Sequence, residues 1–168
     1  KAIQEFPEVM FLPGFWSEFG MCTEPSAFGA RCRFPQNEFP HAHPVIKSPE
    51  EINALVVPEP ETDGLLPFVL NRLKLAQPYI ENAGHKIRFA IARGPLNIAS
   101  FLMGTTEFLM AMLTSPELVE TLMEKITAFL KNWLQLQRST FSTIDGILLL
   151  DDIIGFIGEQ EFRRFGLP

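Results

Sequence analysis

The chain has 168 residues, the size of one ordinary domain, and 46% of them are hydrophobic, so we expect a substantial core. Its formal net charge is −6 and its Lys and Arg residues are scattered, which argues against a nucleic-acid partner. Cys22 and Cys32 form no CxxC pair, and the apolar run at residues 98–113 is too short to span a bilayer. We therefore expect a cytoplasmic protein with no disulfide framework and no membrane partner.

The first predicted element is a short strand at residues 9–12, which the turn residues Pro13 and Gly14 close. A stretch rich in Pro, Gly and Phe follows, in which residues 24–28 and the capping box at residues 48–51 are the helical candidates. A long irregular segment of this kind is usually functional or a lid.

Apolar residues at helical spacing over residues 65–80 predict a helix that Gly84 ends, with Pro78 expected to bend or shorten its last turn. The alternating pattern at residues 87–92 predicts a strand. Residues 93–95, Arg-Gly-Pro, end that strand.

A further helix is expected to start at Pro95. Residues 115–137 carry a single apolar stripe after a Ser-Pro-Glu start and give the clearest helix of the chain. The unbroken apolar run at residues 146–150 predicts a strand that is buried on both faces and stops at Asp151. A last helix is expected near Glu159.

Strands that alternate with long helices predict an α/β fold of parallel strands joined by right-handed crossovers. Three strands do not close a barrel, and a complete (β/α)8 barrel takes about 250 residues. We therefore expect residues 1–168 to form a single partial (β/α)8 (TIM) barrel domain, a fragment without the first and last parts. The carboxyl ends of the strands are where chemistry is expected in such folds.

Three side chains follow these strand ends. Asp151 and Asp152 are suited to binding a substrate nitrogen, orienting a metal ligand or acting as an acid/base pair. The alternative is that one caps the next helix or pairs with a nearby Arg. Because sequence neighbours point to opposite sides, at most one acid is expected to face the cleft. Arg93 either grips a carboxylate or phosphate, or forms an ion pair with Asp151 or Asp152.

The pair His41 and His43 has the spacing of two imidazoles on one face of a strand. Pro40 and Pro44 flank it and favour a loop, and no third ligand is evident nearby, so we assign no metal site. The two cysteines are expected to be buried small hydrophobes.

Aromatic residues gather around the predicted first strand end, and two interpretations stay open. They wall a flat macrocycle pocket, or they form ordinary core and lid packing, which we favour because aromatic side chains usually pack cores. The residues are Phe11, Phe15, Trp16, Phe19 and Phe28.

Four strings in succession resemble the middle of the uroporphyrinogen decarboxylase superfamily. They are RGPLNIASFLMG at residues 93–104, SPE at 115–117, the IDG to DDIIGF segment at 144–156 and FRRFGLP at 162–168. The resemblance extends more loosely to residues 18–20 and 48–51. It implies a (β/α)8 barrel and one of two chemistries: decarboxylation of porphyrinogen acetates, or methyl transfer between a corrinoid and a thiol.

The decarboxylase branch of that superfamily has a Tyr where this chain has Phe101 and a Ser where it has Asp152. A carboxylate at position 152 would repel a substrate that itself bears many carboxylates, which disfavours decarboxylation. The methyltransferase branch resembles the chain better. The strand ends, the aromatic cluster and the resemblance together lead us to predict a site with Asp151 and Asp152 as catalytic residues and with the substrate-binding residues Arg93, Gly94, Asn97, Phe101, Phe15 and Trp16.

The leading functional hypothesis is corrinoid-dependent methyl transfer, with the corrinoid (methylcobamide) as substrate or as the cofactor of a partner protein. In the methyltransferase branch the zinc ligands lie in the later half of the barrel, so zinc is expected only through residues beyond Pro168. A porphyrinogen carboxy-lyase and a non-catalytic tetrapyrrole or small-ligand binding module are the alternatives. A homodimer also stays open.

Overall fold

A computed structural model of the chain describes residues 5–9, 15 and 17–167. The predicted first strand at residues 9–12 and its turn therefore lie outside the described residues, apart from Val9, which is half exposed. The same holds for Trp16.

Five short elements form the first described part of the fold. They are a 3-10 helix (Gly20–Cys22), helix α1 (Thr23–Ala27), the two-residue strands β1 (Cys32–Arg33) and β2 (His41–Ala42), which pair antiparallel, and a second 3-10 helix (Pro49–Ala54). Helix α1 confirms the helix expected at residues 24–28. The loop expected around His41 is wrong for two residues, because His41 and Ala42 form strand β2. Pro40 and Pro44 lie outside the paired residues, so their missing N–H groups remove no hydrogen bond between β1 and β2.

The capping box expected at residues 48–51 is wrong. The Ser48 side chain caps no backbone N–H of the described 3-10 helix. The Glu51 carboxylate instead accepts a hydrogen bond from the Lys47 N–H at 2.8 Å, one residue before the expected position. The helical candidate itself is confirmed, because the segment forms a 3-10 helix with Pro49 at its start.

The larger elements follow in the expected order. They are α2 (Leu66–Asn82), β3 (Phe89–Arg93), α3 (Pro95–Met103), α4 (Thr105–Thr114), α5 (Pro116–Thr140), β4 (Gly146–Leu150), a 3-10 helix (Ile153–Phe156), α6 (Glu159–Glu161) and a π-helical turn (Phe162–Gly166). Pro78 does not shorten α2, which continues to Asn82 and closes with a bond from the Ala83 N–H to the Tyr79 carbonyl at 3.1 Å. Pro78 lacks one backbone N–H, and the loss of that single hydrogen bond does not end the helix.

A sharp corner separates α3 from α4. Gly104 adopts φ 95°, a conformation that favours glycine because it has no Cβ. The two helices meet there at 105°, and within the described residues no single helix is long and apolar enough to cross a membrane.

Strands β3 and β4 pair in parallel, as predicted. Phe89 lies opposite Gly146, and Arg93 lies opposite Leu150. Both strands therefore end at the same edge, which brings the residues that follow them together.

Helix α5 packs on β3 and supplies much of the core. Its buried side chains, each 1% exposed or less, are Val119, Leu122, Ile126, Phe129 and Trp133. Gln137, near its end, is also buried and bonds to the edge of β3 that faces away from β4. Its carboxamide accepts from the Ile91 N–H and donates to the Ile91 carbonyl, both at 2.9 Å. The helix is thereby attached to the strand by polar as well as apolar contacts.

The expectation that β4 is buried on both faces is wrong. Ile147 and Leu149 are 62% and 45% exposed. Among the described residues β4 pairs only with β3, and α5 lies over β3, so the outer side of β4 is left uncovered.

Candidate functional site

Four of the expected site residues meet at the carboxyl edge of the sheet. Arg93 is the last residue of β3, Asp151 and Asp152 follow β4, and Asn97 lies in the first turn of α3. We call these four residues the rim. Their proximity follows from the parallel register, which places Arg93 beside Leu150.

Asp151 caps the helix that follows β3. Its two carboxylate oxygens accept hydrogen bonds from the backbone N–H groups of Leu96, at 3.0 Å, and Asn97, at 3.1 Å. Burial raises the pKa of Asp151, and these N–H groups oppose that shift. A Cβ on Gly94 would overlap the Asp151 side chain, which gives Gly94 a packing role. The capping interpretation therefore holds for Asp151, although the capped helix precedes β4 along the chain.

Asp152 has different surroundings from its neighbour. It is exposed, and its carboxylate accepts a hydrogen bond from the Asn97 side-chain amide at 3.3 Å. Asn97 is only 2% exposed and is fixed by a second bond to the Leu150 carbonyl at 3.0 Å. Asp151 thus binds the backbone at the start of α3, whereas Asp152 faces solvent. Phe101, one turn further along α3, is half-buried.

One of the two interpretations of Arg93, an ion pair with Asp151 or Asp152, is wrong. The Arg93 guanidinium donates to both carboxylate oxygens of Glu18, at 3.0 and 3.2 Å. The side chains of this pair are 17% and 33% exposed. Glu18 comes from the segment before α1, 75 residues away along the chain. The charge of Arg93 is therefore largely compensated without the strand-end acids.

Sequence reasoning missed Glu24, in α1, which reaches the same strand end. Its carboxylate accepts a hydrogen bond from the Arg93 backbone N–H at 3.1 Å, and the residue is only 3% exposed. Burial raises the pKa of Glu24 to about 7, and the neighbouring Glu18 adds to the rise while Arg93 opposes it. Acidic residues are common in the first turn of a helix, so nothing in the sequence indicated that Glu24 reaches the strand end.

The aromatic candidates are dispersed. The Phe15 ring lies against His85, with centroids 5.4 Å apart, and His85 precedes β3 rather than following it. Phe28 packs on Phe129 in the core, with centroids 5.0 Å apart, as the packing interpretation expects. Trp16 lies outside the described residues.

The possible metal ligands do not assemble into a centre. The His41 and His43 rings lie 5.5 Å apart. Within the described residues no group of three or more His, Cys, Asp or Glu side chains is placed to hold a metal ion. Cys22 is buried, and burial raises the pKa of its thiol to about 12, which keeps it protonated rather than a thiolate.

A groove of about 1010 Å³ between α5 and β4 lies apart from the rim. Its lining includes Leu134, Asp145 and Ile147, and it opens beside the amino end of β4. Chemistry in parallel α/β folds collects at the opposite, carboxyl edge, so we place the candidate site at the rim.

Comparison with known proteins gives a consistent assignment. The family model described as "Uroporphyrinogen decarboxylase (URO-D)" matches residues 14–168. No curated protein matches the chain. Among solved structures, a methyltransferase from Methanosarcina mazei is similar, with a TM-score of 0.72 and 20% sequence identity. The match covers 98% of this chain and 48% of that one, so the chain spans about half of its length. This likeness confirms the fold class, a parallel α/β arrangement that corresponds to part of a larger fold.

Proposed function

Because the chain belongs to the uroporphyrinogen decarboxylase (URO-D) family, with residues 14–168 matching its model, we propose that the protein is an enzyme that transfers a methyl group from or to a corrinoid. The similar solved structure is named a methyltransferase, which supports the proposal. The observation that carries it is the exposed Asp152 at the rim.

The charge of the rim favours a ligand without carboxylates. The rim has two acids, Asp151 and Asp152, and its cation, Arg93, is already paired with Glu18. A further carboxylate within about 4–8 Å of one uncompensated acid is repelled by about 2–4 kcal/mol at an effective dielectric constant of about 20. A porphyrinogen presents several carboxylates, whereas the periphery of a corrinoid carries neutral carboxamides.

The rim residues have separate parts in the proposed reaction. Asp152 accepts hydrogen bonds from amide N–H groups of the ligand, and Asn97 holds the Asp152 carboxylate in place. Asp151 fixes the start of α3, so that Asn97 is positioned before the ligand arrives. A bound corrinoid supplies the cobalt-bound methyl group, and this chain binds and orients its periphery.

The methyltransferase branch uses zinc, so we asked whether the described residues could bind it. The described donor set does not fit zinc, because His41 and His43 have no third ligand nearby and the Cys22 thiol stays protonated. Zinc ligands, where the whole protein has them, would come from other residues.

The test is demethylation of methylcob(III)alamin by the full-length protein with a series of thiols, followed by the absorbance of the corrinoid. We expect thiol-dependent loss of the methyl–cobalt absorbance. Asp152→Asn should lower kcat/KM by about tenfold or more, because hydrogen bonds to a charged acceptor contribute about 1.5–3 kcal/mol. Asp145→Asn is the matched control, since Asp145 is an exposed acid that pairs with Arg88 at the start of β4. Absence of turnover with every thiol and methylcorrinoid would overturn the proposal.

The family description favours a second candidate, decarboxylation of a porphyrinogen. Phe101 and Asp152, which stand where the resemblance expects Tyr and Ser, argue against it. Formation of coproporphyrinogen from uroporphyrinogen would establish the decarboxylase. Binding of a tetrapyrrole without turnover of either substrate would instead indicate a non-catalytic binding module.

A further inference from the structure

Unpaired polar atoms concentrate next to the Arg93–Glu18 ion pair. Four buried side-chain polar atoms have no hydrogen-bond partner in the part of the chain that the structure describes. Glu24 and Arg93, which meet at this strand end, contribute Glu24 Oε2 and Arg93 Nε, and Ser17, which precedes Glu18 in the chain, contributes Ser17 Oγ. The fourth atom is in Trp133. Each such atom costs about 1–3 kcal/mol when it stays unpaired, so three in one cluster point to a ligand group that pairs with them.

The donor or acceptor character of these atoms determines which hydrogen-bonding groups a ligand needs. Arg93 Nε carries a hydrogen and donates, the ionised Glu24 carboxylate accepts, and the Ser17 hydroxyl does either. A group that fits therefore has an acceptor and a donor side by side. A primary carboxamide has this arrangement, whereas a carboxylate has only acceptors and an ammonium only donors.

The charges around Glu24 also favour a neutral group. Glu18 and Arg93 face Glu24 and compensate each other. Helix α3, which packs on α1, has no charged residue, and Arg72 of α2, which also packs on α1, lies over the Phe19 ring at 5.3 Å. An ionised Glu24 thus leaves one net negative charge, which repels a carboxylate. The Arg93–Glu18 ion pair is the partly exposed side of the cluster, so a ligand group would enter there.

We infer that Ser17, Glu18, Glu24 and Arg93 form a binding site for a primary carboxamide, whose oxygen accepts from Arg93 Nε and whose N–H donates to Glu24 Oε2. The inference deepens the proposed function, on which it rests for the natural ligand, because the corrin ring bears carboxamide side chains. The ring would then contact both this cluster and Asp152.

The binding is pH-dependent with a definite sign. Burial raises the pKa of Glu24 to about 7, and the protonated carboxyl would present an O–H where the amide needs an acceptor. Affinity for a carboxamide should therefore increase as the pH rises through about 7.

The Arg93 Nε–H group is itself the reporter of the experiment. In the full-length protein labelled with ¹⁵N-arginine, its NMR signal is assigned by its loss in Arg93→Lys and followed during titration at pH 8 with acetamide, acetate or methylammonium. We expect a saturable shift with acetamide and at least about tenfold weaker responses to the two charged probes. No saturable shift with acetamide, or equal responses to all three probes, overturns the site.

Glu24→Gln supplies the conservative comparison. The Gln carbonyl keeps the bond from the Arg93 N–H, but its NH₂ group faces the ligand, so two donors now meet there. The preference should change from acetamide to acetate and lose its pH dependence between pH 6 and 9. An unchanged preference in this folded variant would contradict the inference. The titration needs no corrinoid, so acetamide binding without demethylation refutes methyl transfer alone, and demethylation without acetamide binding refutes this site alone.

Discussion

Glu24 should make the stability of the protein depend on pH, and Glu24→Gln should remove that dependence. The pKa of about 7 in the folded chain, against 4.5 for an ordinary glutamate, corresponds to a preference of about 3 kcal/mol for the protonated form on folding. Because the folded pKa is raised, this contribution is fully present below about pH 4.5 and is lost as the pH rises through 7.

The measurement is urea unfolding at pH 5 and pH 8.5, followed by the fluorescence of the buried Trp133. Between these pH values the unfolding free energy of the wild type should fall by about 2–3 kcal/mol more than that of Glu24→Gln. Asp151, whose pKa is also raised, contributes with the same sign but cancels in the difference between the two proteins. Parallel pH profiles for the two proteins would refute the buried, proton-binding role of Glu24.

Three further predictions concern the contacts around the strands. Asp151→Ala should lower the unfolding free energy by about 1–2 kcal/mol in urea melts, because α3 loses its cap, and a loss no larger than that of Asp145→Ala would contradict the capping role. Gly94→Ala should cost about 1–3 kcal/mol, because its Cβ would overlap Asp151, and the cost should shrink in an Asp151→Gly background; full additivity in a double-mutant cycle would argue against the overlap. Gln137→Leu should cost about 2–3 kcal/mol by chemical unfolding, because both polar groups of Ile91 lose their partner, and a neutral effect would show that the pairing is unimportant.

The features that the sequence predicted are those with a local signal. The apolar stripe of α5 recurs every three or four residues, and the run at residues 146–150 is continuous, so both elements and their parallel connection could be derived. The rim followed from that topology, because parallel strands end at one edge.

The features that could not be predicted from the sequence depend on contacts between distant residues. Glu18 and Glu24 meet Arg93 across 75 and 69 positions of the chain, and no periodicity encodes such a contact. The exposure of Ile147 depends likewise on what covers β4, which the strand's own composition does not specify. The capping box at residues 48–51 was a local signal, but it predicted the wrong hydrogen bond. The Glu51 carboxylate accepts from the backbone N–H of Lys47 instead of that of Ser48.

The proposed encounter of a corrinoid with this rim is tested most directly by equilibrium binding of methylcob(III)alamin to the full-length protein, measured by calorimetry. The wild type and Asp145→Asn should bind with the same affinity, and Asp152→Asn should bind about tenfold or more weakly, since it loses a charged acceptor. No binding to the wild type, or equal binding to all three proteins, would contradict the claim that a corrinoid docks at the carboxyl edge of β3 and β4.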